Sequence, residues 1–160
     1  MITQKLLKEL TVYNEETGDF TNRKTGRVLG CLDKSHGYII TQISGHRGYI
    51  HRFAFLYMKG AMPKYVDHKD RNRANNSWSN LRECTQSQNS ANMGIAKNNT
   101  SGYKGVFYEK RNGTWYSRLY IASKAIQLGS FGTKEEAAEA YNVAATANFG
   151  EFAYLNIIPS

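Results

Sequence analysis

Apolar positions along the chain fall in short runs broken by polar turns, and the character of the runs changes twice. In residues 1–63, Leu6, Leu7 and Leu10 predict a brief helix, and residues 17–30 are rich in turn formers, with Gly18, Gly26 and Gly30 as punctuation. The stretch from Gly37 to Phe53 alternates as two strands turning at Ser44-Gly45, and Ile50–Met58 is apolar enough for a helix ended by Gly60 and Pro63. Residues 64–95 are dense in Asn, Arg and Asp, too polar to build a core. They predict a strand at Tyr65-Val66, a long loop, a strand over Leu81–Cys84, and a helix opened by a Thr85/Gln88 capping box.

Residues 96–101 are a polar linker, and 102–156 return to strand signals. Three strand-like runs are joined by an Asn-Gly hairpin at Arg111-Asn112-Gly113 and a turn near Ser123-Lys124. A helix follows, capped by Thr133 and Glu136 and stopped by Gly150, with Ala137, Tyr141 and Ala144 on one face and Ala140 and Ala147 nearby. The expected class is α+β, with one domain over 1–95 and a smaller sheet-plus-helix domain over 102–156.

Composition narrows the partner. The chain has 160 residues, 41% hydrophobic, which excludes a disordered polymer. Twenty-one Lys and Arg against 13 Asp and Glu give +8, so a polyanion is the expected partner, nucleic acid before a membrane surface. Cys31 and Cys84 form no CxxC pair, so no structural zinc is expected and the thiols suit a reducing cytoplasm. The N-terminus has no long apolar region and no run approaches ~20 apolar residues, so neither a signal peptide nor a membrane span is expected.

The chemistry concentrates in Asp67-His68, Asn80 and Asn89. Hydrolysis of a phosphodiester needs a base that titrates near neutrality, and imidazole is the side chain that does, so His68 is the candidate general base. A hard divalent cation would offset charge developing on oxygen; Asp67 and Asn89 offer oxygen ligands that favour Mg²⁺ or Mn²⁺ over Zn²⁺. Asn80 is expected to accept a hydrogen bond from the imidazole and fix its tautomer. Asn75 and Asn76 read as loop builders, His51 as a packed, hydrogen-bonded histidine, and His36 as a surface residue. Lys64, Lys69, Arg71, Arg73 and Arg82 outnumber Asp67 and Asp70 across 64–82; Arg71, Arg73 and Arg82 are candidate DNA contacts, of which Arg71 and Arg73 would border the scissile phosphate.

The segments "HRFAF" at 51–55, "VDH" at 66–68, "NNSWSNL" at 75–81 and "QNSANM" at 88–93 resemble the HNH endonuclease family, in the subgroup whose third motif residue is Asn. The resemblance implies a ββα-metal (His-Me finger) domain with its core at about 64–95 and the same four roles. It implies a metal-dependent enzyme cutting double-stranded DNA, of the phage homing or nicking kind, working in a bacterial host cytoplasm. One active site per chain suits a monomer; cutting both strands would take a dimer or two events.

The segments "SGYKGV" at 101–106, "TWYSRL" at 114–119, "LGSF" at 128–131 and residues 133–150 resemble the AP2 DNA-binding domain, a three-stranded antiparallel sheet backed by a helix. The resemblance implies that the open sheet face enters a DNA groove. Alternation turns Trp115, Ser117 and Leu119 to the helix and Thr114, Tyr116, Arg118 and Tyr120 outward. Lys104, Lys110, Arg111, Arg118, Tyr120 and Gln127 are the candidate DNA contacts, while Phe107, Glu109 and Tyr120 stand where arginines are typical. A non-cleaving DNA-binding regulator and an RNA-binding protein are the alternative classes.

Overall fold

The computed structural model describes residues 2–159, a mixed α/β chain that divides into two compact units, one up to Cys84 and one from Thr85. In the N-terminal unit, α1 (Gln4–Leu10) starts where the Thr3 hydroxyl accepts the Leu6 N–H, satisfying one of the helix's orphan donors. It buries Leu7 completely. Strands β1 (Thr11–Tyr13), β2 (Phe20–Asn22) and β3 (Val28–Leu29) form one antiparallel sheet. Strands β4 (Cys31–Leu32), β5 (Ile39–Ile43) and β6 (His46–Tyr49) form a second, with the expected turn at Ser44-Gly45.

Helix α2 (Ile50–Lys59) ends at Gly60, whose left-handed φ of 77° closes the last turn. Its apolar face lays Ile50, Phe53, Ala54 and Leu56 on a core shared with Leu7, Phe20 and Ile43. Burying side chains of this size contributes roughly 1.5–3 kcal/mol each. Val66 and Leu81 extend that core under the polar segment. They sit on β7 (Val66–His68) and β8 (Leu81–Glu83), an antiparallel pair with a single 3-10 turn, Trp78–Asn80, ahead of β8. A segment with almost no aliphatics is thus held by one apolar residue from each strand.

The long loop between β7 and β8 is braced from a distance. The Tyr13 hydroxyl donates to the Asn76 carbonyl at 2.6 Å, and the Trp78 N–H donates to the Glu15 carbonyl at 2.8 Å. Gly18 makes this approach possible: a Cβ there would stand 2.2 Å from the Asn76 carbonyl carbon, and its φ is +80°.

The C-terminal unit opens with α3 (Gln86–Asn92), whose Thr85/Gln88 capping box forms as expected. The unit division falls ahead of this helix, so α3 groups with the residues that follow it. Strands β9 (Val106–Glu109), β10 (Thr114–Ile121) and β11 (Lys124–Phe131) make an antiparallel sheet in the order β11-β10-β9. Helix α4 (Lys134–Phe149), with its own capping box at Thr133 and Glu136, packs on that sheet. Ser117 and Leu119 are buried on the helix side, and Trp115 packs against Val106, Ala137 and Ala138. The buried stripe of α4 is Ala137, Ala138, Tyr141, Ala145 and Phe149, set by steps of four. Ala147, expected near this face, is exposed instead. Gly105, at φ +76°, lies where a Cβ would come within 2.2 Å of the Tyr141 ring.

Candidate active site

Strand β7 sends adjacent side chains to opposite sides, and this alternation organises the site. Asp67 is 3% exposed, and its Oδ2 accepts from Arg82 Nε at 2.8 Å, its register partner on β8. His68 is 4% exposed. It lies on the other side, among rings: His51 meets it edge-on at 5.2 Å and 89°, and Tyr38 lies 5.8 Å away.

Two asparagines divide the work that was expected of Asn80. Asn80 Nδ2 donates to Asp70 Oδ1 at 2.9 Å and to the Asn75 carbonyl at 2.8 Å, and its Oδ1 accepts the Asp70 N–H at 3.0 Å. Its own carbonyl accepts the Lys69 N–H. Asn80 therefore ties the loop into shape and does not orient the imidazole directly. That contact belongs to Asn76, whose Oδ1 lies 3.3 Å from His68 Nε2. Asn76 Nδ2 donates to the Ala74 carbonyl at 2.9 Å, which sets the amide with its oxygen toward the ring. Nε2 is then the nitrogen that donates in this contact. Sequence reading set Asn76 aside as a loop builder, because three asparagines within "NNSWSN" cannot be ranked by spacing.

Burial pushes the His68 imidazole below its ordinary value, against the opposing effects of the Asn76 contact and the Asp70 and Asp67 charges. It is thus neutral, and able to accept a proton, near pH 7. Burial, with His68 and Arg52 beside it, drives His51 down to about 3. His51 Nδ1 is buried without a hydrogen-bond partner among the described residues, so the packed reading of His51 holds but the hydrogen-bonded one does not. Partial burial would raise Asp70, but bonds from Asn75, the Asn72 N–H and Asn80 hold it below the usual carboxylate range.

The other predicted residues separate into surface groups and structural ones. Arg71 and Arg73 are exposed on the β7–β8 loop, Arg71 at φ +65°. Arg73 lies over the Tyr38 ring at 4.9 Å and donates to the His36 carbonyl at 2.9 Å. Arg82, expected at the DNA surface, has 11% of its side chain exposed and serves Asp67. Lys104, also expected to meet DNA, donates from Nζ to the carbonyls of Ser90, Ala91 and Met93 at 3.2, 2.6 and 2.6 Å. It completes the carbonyl end of α3, where a cation is favoured by the helix dipole. Lys110, Arg111, Tyr120 and Gln127 are exposed and Arg118 half-buried. Asn89 sits half-buried on α3 in the C-terminal unit.

Among the described residues, no three His, Cys, Asp or Glu side chains gather as a metal cluster, and no helix is long and apolar enough to cross a membrane. Any cation near Asp67 would therefore draw on amide, water or substrate oxygens as well as the carboxylate.

Comparison with known proteins bears on the same segment. Residues 48–91 match the family model described as HNH endonuclease. An uncharacterized HNH endonuclease of Acanthamoeba polyphaga mimivirus is 39% identical over 112 residues, covering 68% of this chain and 57% of its own length. The AP2-like ethylene-responsive transcription factor ANT of Arabidopsis thaliana is 45% identical over 56 residues, 34% of this chain and 10% of that factor. A solved structure of DNA binding and cleavage by the HNH homing endonuclease I-HmuI shares 30% identity over 51% of this chain and 50% of that one, at a TM-score of 0.43. The chain thus spans little more than half of the viral relative. The family match lies across α2, β7 and β8, so the segment that carries Asp67 and His68 is the segment similar to HNH endonucleases.

Proposed function

We propose that the chain is a metal-dependent endonuclease that hydrolyses phosphodiester bonds of double-stranded DNA, with β7, β8 and α3 serving as a ββα-metal hook. The observation that carries this reading is the buried strand β7, which presents a carboxylate to one side and a neutral imidazole to the other.

The donor set fits a hard cation. Asp67 already holds a positive group, the Arg82 guanidinium, at 2.8 Å. Asp67 and Asn89 are the residues that would hold Mg²⁺ or Mn²⁺, which when bound would supply charge stabilisation at the phosphoryl and leaving oxygens. His68 takes the proton of the attacking water, with Asn76 keeping Nε2 protonated. Asn80, Asp70 and Asn75 hold the loop so that the strand end keeps its geometry. Arg71 and Arg73, exposed on that loop, contact the DNA backbone. The C-terminal unit, by its likeness to AP2 sequences, grips DNA and raises the local concentration of sites. A single hook per chain suits nicking by a monomer, and the phage or mobile-element setting in a bacterial cytoplasm follows from the family resemblance.

Plasmid nicking with Mg²⁺, with and without EDTA, tests this reading. Wild type should relax supercoiled DNA only with free metal, and His68→Ala should abolish cutting while retaining DNA binding. Binding without cutting by wild type would favour a regulator; equal loss of binding and cutting in His68→Ala would remove the role given to the imidazole.

A further inference from the structure

The outward face of the β9-β10-β11 sheet carries more ring than charge. Phe107 and Tyr116 are register partners whose rings stack at 5.3 Å and 21°. The Arg118 guanidinium lies over both, 5.7 Å from Phe107 and 5.4 Å from Tyr116, and Nη1 reaches the Tyr120 hydroxyl at 3.4 Å. Phe107 is 39% and Tyr120 54% exposed. Groove reading of a duplex wants several cations on phosphates and forked donors on base edges. Here the one guanidinium on this patch is engaged with the rings. Exposed aromatic faces beside a guanidinium suit unpaired bases, each of which offers a π surface.

A cavity adjoins this patch. Strand β9 pairs with β10 from Thr114 to Ser117, after which Arg118 N–H meets the Gly105 carbonyl. Past that point a cavity of about 820 Å³ opens between β10 and α3, bordered by Phe107, Arg118, Tyr120, Ser87, Ser90 and Met93. Its size is that of sites for small organic molecules, roughly 300–1,000 Å³. The lining joins rings to hydroxyls, as a nucleotide requires. Lys110 and Arg111 at one turn and Lys124 at the other are exposed for phosphates flanking the patch.

We infer that this face binds single-stranded DNA, stacking unpaired bases on Phe107, Tyr116 and Tyr120 and lodging one nucleotide in the adjoining cavity. The inference rests on the reading that the chain acts on DNA, and it assigns the C-terminal unit to a strand whose pairing is already open.

Fluorescence anisotropy of the full chain in EDTA tests it, using an oligothymidylate of about 12 nucleotides and a duplex of equal length. The Phe107→Leu, Tyr116→Leu double variant should lose about tenfold or more in single-strand affinity while its duplex affinity changes less than about twofold. Equal losses on both, no loss on either, or an oligouridylate bound about tenfold better than the oligothymidylate would overturn the inference. Should the variant fail to fold, photocrosslinking of wild type to a bromodeoxyuridine oligonucleotide decides: adducts at Phe107, Tyr116 or Tyr120 support it, and adducts only elsewhere, or none, overturn it. Plasmid nicking by wild type is scored separately, so cutting without these adducts retires this inference alone.

Discussion

Acidifying the protein should unload stability through His51, and the size of the loss follows from where that ring sits. Its imidazole is packed against Tyr49 at 5.5 Å, Tyr38 at 5.2 Å and His68 at 5.2 Å, with Nδ1 buried and without a hydrogen-bond partner among the described residues. Charging it in place is costly, so its value falls from 6.5 to about 3. The folded value lies below the unfolded one, so the fold favours the neutral ring. Stability is complete above pH 6.5 and drains as pH falls toward 3. In the middle of that window each pH unit removes about 1.4 kcal/mol, and the loss between pH 6.5 and 4.5 is roughly 2 kcal/mol. That is a large share of the roughly 5–15 kcal/mol that holds an ordinary domain. The assay is urea unfolding followed by Trp78 fluorescence in a Trp115→Phe background, since the chain has two tryptophans and Trp78 packs on the N-terminal core. His51→Phe keeps an aromatic ring and removes the proton site. Its stability should fall less steeply with acid than the parent's, by about one proton's slope. His68 shifts in the same sense, so the comparison is always variant against parent. Parallel pH dependences of the two proteins would refute the argument.

The acid limb of the cleavage profile should lie below pH 6.5, because burial holds His68 under its ordinary value; a limb above 6.5 in kcat/KM would contradict it. Asn76→Ala should cut kcat by about 10–100-fold, as loss of an orienting partner does, with little change in melting. Asn80→Ala should instead cost about 1–3 kcal/mol by stranding Asp70 and the Asn75 carbonyl, measured as a lower unfolding midpoint. Lys104→Met should weaken the C-terminal unit by about 1–2 kcal/mol without changing the salt dependence of DNA binding, since its ammonium faces carbonyls. Lys110→Ala, at an exposed turn, should lower that salt slope by about one; the reverse pattern in titrations across salt would exchange their roles.

Local signals in the sequence located the elements well where backbone chemistry decides them. The two capping boxes, the Gly60 stop and the Ser44-Gly45 turn rest on residues within a few positions of each other, so nothing remote is needed to read them. Asp67 and His68 were also legible, because strand alternation separates neighbours automatically. What resisted was partner choice across the chain. Asn76 is chosen over Asn80 for the imidazole because Tyr13 and the Gly18 turn press on its peptide from sixty residues away, a contact no window shows. Arg82 and Lys104 looked like surface cations because charge predicts exposure on average. One is drawn inward by its register partner Asp67, the other by the open carbonyls at the end of α3.

The pairing of Asp67 with Arg82 gives the N-terminal unit a resident counter-ion. A buried carboxylate left alone would strain the fold, but this one is neutralised from within. If Asp67 holds the ion as proposed, metal loading would be an exchange of partners, and folding would not wait for it. Chelation should silence cutting while leaving the melting temperature of the wild type in place. Arg82→Met should invert that independence, giving a protein that melts early in EDTA and recovers in Mg²⁺. On the proposed function, a nuclease built this way would keep its shape in metal-poor surroundings and arm itself only when the ion arrives.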